Sequence, residues 1–192
     1  MSVRQHSTET LTPDRLPPSV TAPLGEIDPA LERFIRGTGP SSAALPPNLQ
    51  EAILYSLLGP GKRIRPLLAV HCFRLAVQQV TGSVPPTDEP TLAAAASVEM
   101  VHAFSLIHDD LPGIDNDDTR RGRPTLHKKA GEAMAILAGD SLLTLAFTIL
   151  VQNYSPVLAS RLVGELAAGT NGMIAGQILD TLGGFAAGLS DQ

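Results

Sequence analysis

The sequence predicts an all-α protein, and two observations carry that prediction. Its 192 residues are 43% hydrophobic but only 4% aromatic, with no Trp. The apolar share comes largely from Ala and Leu, which suit packed helices, whereas pleated sheets select β-branched and aromatic side chains. The run TLAAAASVEMVHAFSLIHDD, from Thr91 to Asp110, is apolar on most helical faces, as a central helix is. The length is ample for one domain and awkward for two.

Taken in order, residues 1–25 carry Pro13, Pro17, Pro18 and Pro23 among polar residues, and they are expected to form a flexible N-terminal arm. Residues 26–192 are expected to belong to one domain. A short amphipathic turn or helix is expected from Pro29 to Ile35, then a breaker-rich segment in which Pro46 and Pro47 set up a helix over Leu49–Leu58. Gly59, Pro60 and Gly61 stop it, and a further helix begins near Arg65 and Pro66. Gly82–Pro90 reads as a loop, and Pro112 with Gly113 ends the central helix. A polar loop over 115–131 leads into a second apolar helix, followed by helical patterns at Ser155–Gly169 and Asn171–Leu182.

The charge pattern excludes some functions. A net charge of -5 and a pI near 5.4 argue against a nucleic-acid binder that works by a whole-surface basic field. The lone Cys72 excludes an intrachain disulfide framework and fits a cytoplasmic setting. The opening MSVRQHSTET has no apolar core of a secretory signal. The apolar stretch Ala133–Val151 is interrupted by Gly139 and Asp140, so a buried helix is expected and no membrane insertion.

Chemistry concentrates where the central helix ends. Asp109, Asp110, Asp115, Asp117 and Asp118 fall within ten residues. Acidic runs are commonly just solvated, but this one has Arg120, Arg121, Arg123, Lys128 and Lys129 downstream and Lys62, Arg63 and Arg65 upstream. Clustered carboxylates raise each other's pKa unless a cation neutralises them, and Mg²⁺ takes one or two carboxylates together with phosphate oxygens. Arg and Lys match phosphate from the other side. The combination suggests a metal-bridged polyphosphate. His102 stands two helical turns before Asp109 and shares its face, and Lys62 and Arg65 point the same way if their segment is helical. In an unbroken helix Asp109 and Asp115 would face apart; Pro112 and Gly113 let the second carboxylate fold back.

Three stretches, GKRIRPLL at 61–68, VEMVHAFSLIHDDLPGIDNDDTRRGRPTLHKKAGEAMAILAGDSLLTLAF at 98–147 and GQILD at 176–180, together resemble the bacterial trans-isoprenyl diphosphate synthases, most closely the farnesyl diphosphate synthases. The resemblance implies an isoprenoid-synthase bundle of antiparallel helices around an apolar cavity, commonly a homodimer. It implies a magnesium-dependent prenyltransferase that condenses isopentenyl diphosphate with an allylic diphosphate, dimethylallyl or geranyl. On the same analogy Asp109 and Asp115 hold Mg²⁺ with Asp110 in support, Arg120 contacts the allylic diphosphate, and Lys62, Arg65, His102 and Arg121 hold isopentenyl diphosphate. Phe104, five positions before the first aspartate, with Ser105 beside it and the Pro112–Gly113 insertion, implies a fifteen-carbon product ahead of a twenty-carbon one.

The chain also departs from that family. The second aspartate-rich motif, the Lys-Thr pair and the later basic residues of the family do not follow Gln177 and Asp180, and Asn116 stands where close relatives carry aspartate. The expectation is therefore the N-terminal portion of one synthase domain. A geranylgeranyl diphosphate synthase and a non-catalytic diphosphate-binding partner subunit are the alternatives. A terpene cyclase is disfavoured, since it has no isopentenyl diphosphate for Lys62, Arg65 and His102 to engage.

Overall fold

A computed structural model describes residues 17–37 and 45–183. Eight helices and one two-stranded ribbon occur among them: α1 (Pro18–Thr21), α2 (Leu24–Arg36), α3 (Pro47–Leu57), α4 (Ile64–Thr81), α5 (Glu89–Asp109), β1 (Thr119–Arg120), β2 (Arg123–Pro124), α6 (Leu126–Ala130), α7 (Glu132–Asn153) and α8 (Pro156–Leu182). The all-α prediction holds. Residues 1–16, 38–44 and 184–192 fall outside the described residues, and with them most of the arm expected over 1–25.

Several boundaries move, each for a local reason. The expected arm gives way to helix from Pro18, and α2 opens at Leu24 rather than Pro29. The prolines permit this: Pro18 needs no backbone donor in a first turn, and α2 runs through Pro29 because Ile27, Ala30, Leu31 and Ile35 form one buried stripe. His71 Nε2 lies 2.8 Å from the Val20 carbonyl and ties α1 to α4. Helix α5 starts at Glu89, inside the expected loop, because the Asp88 side chain accepts a 3.0 Å bond from the Thr91 amide and caps it. The two C-terminal helices expected at Ser155–Gly169 and Asn171–Leu182 are one, α8. Glycines at 164, 169, 172 and 176 weaken a helix by about 1 kcal/mol each without ending it.

Helices α5 and α7 form the centre. They pack more extensively than any other pair, through small and branched residues including Ala96, Met100, Ala103 and Ile107 against Ala135, Ala138, Leu142 and Ala146. Both are long and apolar enough to cross a membrane by length and composition; α5 spends that apolarity on neighbours, being enclosed by α2, α3, α4 and α7. Beside it lies an elongated cavity of about 950 Å³, walled by residues of α4, α5 and α8 such as Ala69, Val98, Val101, Leu166 and Met173. Its lining is mainly aliphatic, as the aromatic-poor composition leads one to expect.

Candidate functional site

The acidic end of the site follows from how α5 stops. After Asp110 the chain turns at Pro112–Gly113 and comes back: the Asp115 amide donates 2.8 Å to the Asp109 carbonyl and the Asn116 amide 3.1 Å to that of Leu111. Asn116 adopts φ 54°, a left-handed conformation that Asn tolerates better than most residues. The turn therefore lets the second carboxylate fold back, and Asp109 reaches the wall of the large cavity. Burial, then the Asp115 charge, hold the Asp109 carboxyl above the usual carboxylate range, with Arg120 opposing the rise. Asp110 is separated from this pair. It is 4% exposed and faces Arg120, which donates from Nε at 2.8 and 3.0 Å and from Nη2 at 2.6 Å.

The double arginine lies on the ribbon, where a simple loop had been expected. Arg120 pairs with Arg123, leaving Arg121 and Gly122 as a two-residue turn with φ 53° and 77°. Positive φ at both positions is the type I′ geometry that matches ribbon twist. Its tight reversal sends adjacent arginines apart: Arg120 to Asp110, and Arg121 to the Pro60 carbonyl, to which Nη1 donates at 2.6 Å. The ribbon is fastened by Tyr55, whose hydroxyl donates to the Pro124 carbonyl at 2.8 Å and whose ring lies 4.1 Å from Arg123 and 4.6 Å from Lys129.

Lys62, Arg65, His102 and Arg121 line a second, basic pocket of about 620 Å³. The condition on the alignment of the first two, a helical segment, is not met, because α4 begins only at Ile64 and Lys62 precedes it. Arg63, with φ 48° and ψ 35°, turns the chain into the helix instead. A Cβ at Gly61 would meet the guanidinium ends of Arg121 and Arg63, which would have to shift. Arg65 Nη1 lies 3.4 Å from His102 Nε2; an arginine only donates, so this nitrogen accepts and the ring proton sits on Nδ1. Burial and then Arg65, Arg121, Arg120 and Arg63 lower the His102 pKa to about 4, so the ring is neutral at neutral pH. Arg65 and His102 wall both cavities, which makes them the boundary between the acidic and basic ends.

Phe104 and Ser105 also line the large cavity, although simple helix angles set Phe104 well off the Asp109–His102 face. The cavity wraps round α5, and the Phe104 ring meets that of His108 edge-on at 4.8 Å between centroids. His108 in turn lies against α7, its Nε2 3.2 Å from the Ile136 carbonyl, in space that Gly139 leaves open. Gly139 and Glu99 went unnoticed in the sequence for these parts, and Arg63, counted there among the cations that match phosphate, is instead buried against Glu99 at 3.2 Å. Glu99 had a legible signal, an acid inside an otherwise apolar helix one turn before His102. Gly139 had none.

The polyprenyl synthetase family model matches residues 46–190. The chain belongs to the polyprenyl synthetase family. This member is 46% identical over 164 residues to a farnesyl diphosphate synthase of Geobacillus stearothermophilus, a match covering 82% of this chain and 50% of that protein. It is 50% identical over 137 residues to a chloroplastic geranylgeranyl pyrophosphate synthase of Capsicum annuum, covering 69% of this chain and 35% of that one. Among solved structures, a geranyltransferase from Legionella pneumophila superposes with a TM-score of 0.72 at 33% identity, over 90% of this chain and 59% of that one. An FPP/GFPP synthase from Zymomonas mobilis gives 0.70 at 35% identity, over 84% and 57%. The fold is thus that of the isoprenoid synthases, and the chain spans half or less of the length of these two curated relatives.

Proposed function

We propose that this polyprenyl synthetase chain serves prenyl transfer, joining isopentenyl diphosphate to an allylic diphosphate. The observation that carries the reading is that one helix, α5, feeds two unlike anion sites: Asp109 opens onto an apolar cavity, and His102, two turns earlier, belongs to a basic pocket that shares a wall with it. A substrate with a charged head and a hydrocarbon tail fits the first. A diphosphate held without metal fits the second.

The residues suit a magnesium ion at the acidic end. Two carboxylates, placed so that the Asp115 charge helps raise the Asp109 pKa, form a partial ligand set for a cation. That is the requirement of an ion completed by phosphate oxygens and water. Asp109 and Asp115 would hold it, and once bound it supplies charge neutralisation to a diphosphate leaving group. Asp110 holds Arg120 beside this turn, and the guanidinium is the donor for an allylic diphosphate oxygen. Lys62, Arg65 and Arg121 bind the isopentenyl diphosphate, and neutral His102 offers a ring N–H from Nδ1. The aliphatic cavity excludes water from the reacting carbons.

Phe104 supports a fifteen-carbon product, because its ring, braced on His108, occupies the cavity wall near Asp109. The similarity to a geranylgeranyl pyrophosphate synthase favours a second reading, a twenty-carbon product. The same proposal places the chain in the cytoplasm as a homodimer, with the exposed apolar side chains of α4 and α8, such as Leu68, Leu75 and Ile178, available for burial. The test is product analysis after incubation with dimethylallyl and isopentenyl diphosphates and Mg²⁺. Farnesyl diphosphate is expected; a twenty-carbon product favours the second reading. Diphosphate binding without turnover assigns the chain to the partner-subunit reading, and neither binding nor turnover overturns the proposal.

A further inference from the structure

The basic pocket holds a carboxylate that an anion site should not contain. Glu99 is 5% exposed and lines the same pocket as Lys62, Arg63, Arg65 and Arg121. Its own charge opposes any phosphate that enters, and burial pushes its pKa up against the pull of the surrounding arginines. The group it does serve is Arg63, whose Nη1 donates to Glu99 Oε1 at 3.2 Å. The same guanidinium donates from Nε to Asp28 Oδ1 at 2.6 Å and from Nη2 to the Gly59 carbonyl at 3.1 Å. Three separate pieces of the fold, α2, the α3–α4 connection and α5, therefore grip one side chain, which is 8% exposed.

That grip coincides with strained backbone. Arg63 is one of three non-glycine residues at positive φ among the described residues, a conformation that disfavours a long side chain and persists where surroundings impose it. It falls between Lys62 and Arg65, where the chain changes from loop to helix. Glu99 sits one helical turn before His102 on α5, so the bond from Arg63 sets the loop's position relative to that histidine. We propose that the buried Arg63–Glu99 pair is a positioning device, fixing the Gly61–Arg65 segment so that Lys62 and Arg65 converge with His102 and Arg121 on one diphosphate. The inference rests on the reading of this pocket as a diphosphate site.

Charge and position make opposite predictions for Glu99→Gln. A purely electrostatic acid would be improved on by its removal, and pyrophosphate would bind more tightly. A positioning acid leaves the loop unanchored, and binding weakens on the order of tenfold or more, the scale of a lost hydrogen bond to a charged group. The measurement is calorimetric titration of inorganic pyrophosphate into the 192-residue chain with EDTA present, so that no metal-assisted binding contributes. Arg63→Lys, which keeps the charge but cannot span three acceptors, is expected to weaken binding similarly. Asp28→Asn removes only the outer, half-exposed anchor and is expected to weaken it less. Far-ultraviolet circular dichroism separates these losses from unfolding, and where Glu99→Gln loses helicity, Asp28→Asn decides the matter. Unchanged or tighter binding in folded Glu99→Gln, in Arg63→Lys, or in that deciding Asp28→Asn overturns the inference. Absence of pyrophosphate binding by the unsubstituted chain overturns instead the diphosphate reading beneath it.

Discussion

On the proposed reading, the two ends of the site hold a diphosphate by opposite means. The acidic end is local: one turn after α5 brings Asp109 and Asp115 together within a few residues, and the Arg120 charge opposes the rise of the Asp109 pKa without cancelling it. The basic end is assembled from three distant segments, at Lys62–Arg65, His102 and Arg121, and contains its own counter-charge in Glu99. An anion site that depends on a metal need only present unsatisfied carboxylates. One that works without metal must hold mutually repelling cations in place, and that takes buried scaffolding.

The sharpest way to break this contrast is Asp109→Asn. Metal-assisted binding or turnover of an allylic diphosphate should fall on the order of 10²–10³-fold, the usual loss when one charge-stabilising group is removed. Stability should move the other way. The Asp109 pKa is raised on folding, so the stability linked to it is full below the unfolded carboxylate range and is lost as pH rises through the folded value. At neutral pH the asparagine variant should therefore melt slightly above the parent in the absence of Mg²⁺. A lower Tm would mean that Asp109 is structural rather than poised for a cation.

Lys62→Ala probes the other end. Removing one charged hydrogen bond should weaken isopentenyl diphosphate binding by about tenfold or more while leaving the melting temperature nearly unchanged, since Lys62 is exposed. Equal loss at both substrates in steady-state KM values would deny the two ends their separate roles.

How far the sequence disclosed all this depends on locality. The carboxylates and His102 were legible because their spacing along one helix end is itself the geometry, whereas the paired arginines were legible only as a motif beside it. Lys62 and Arg65 were expected to point the same way only if their segment is helical, and α4 starts too late to include Lys62. What brings them together is the left-handed Arg63, held by Asp28, Gly59 and Glu99, of which only Gly59, four residues earlier, is near it in sequence. The type I′ turn that separates Arg120 from Arg121 was likewise hidden in a polar stretch. Proline-rich residues at 17–25 looked too polar to order, yet their prolines sit where helix starts accept them.

Gly139 tests the packing behind Phe104. A methyl group there collides with the His108 ring, so Gly139→Ala should lose about 1–3 kcal/mol to overpacking despite its better helix propensity. Gly172→Ala, in open space on α8, should gain about 0.5–1 kcal/mol. Denaturant titration of the pair reads the difference directly, and a stabilised Gly139→Ala would show that His108 is free to swing away.

The smallest effect belongs to His102. Its pKa is lowered to about 4, so between the ordinary histidine value and pH 4 the unfolded chain takes up a proton that the folded one does not, and stability falls as pH falls through that window. His102→Gln should flatten this part of the stability profile, and the ring resonances of the parent should titrate near pH 4.

The contrast between the two ends is tested most directly by counting sites. Calorimetric titration with inorganic pyrophosphate, first in EDTA and then in Mg²⁺, should show one metal-independent site at the basic pocket and a second that appears only with the metal and disappears in Asp109→Asn. A chain that binds no pyrophosphate in EDTA, or gains no site on adding Mg²⁺, would contradict the division of labour between the two ends of α5.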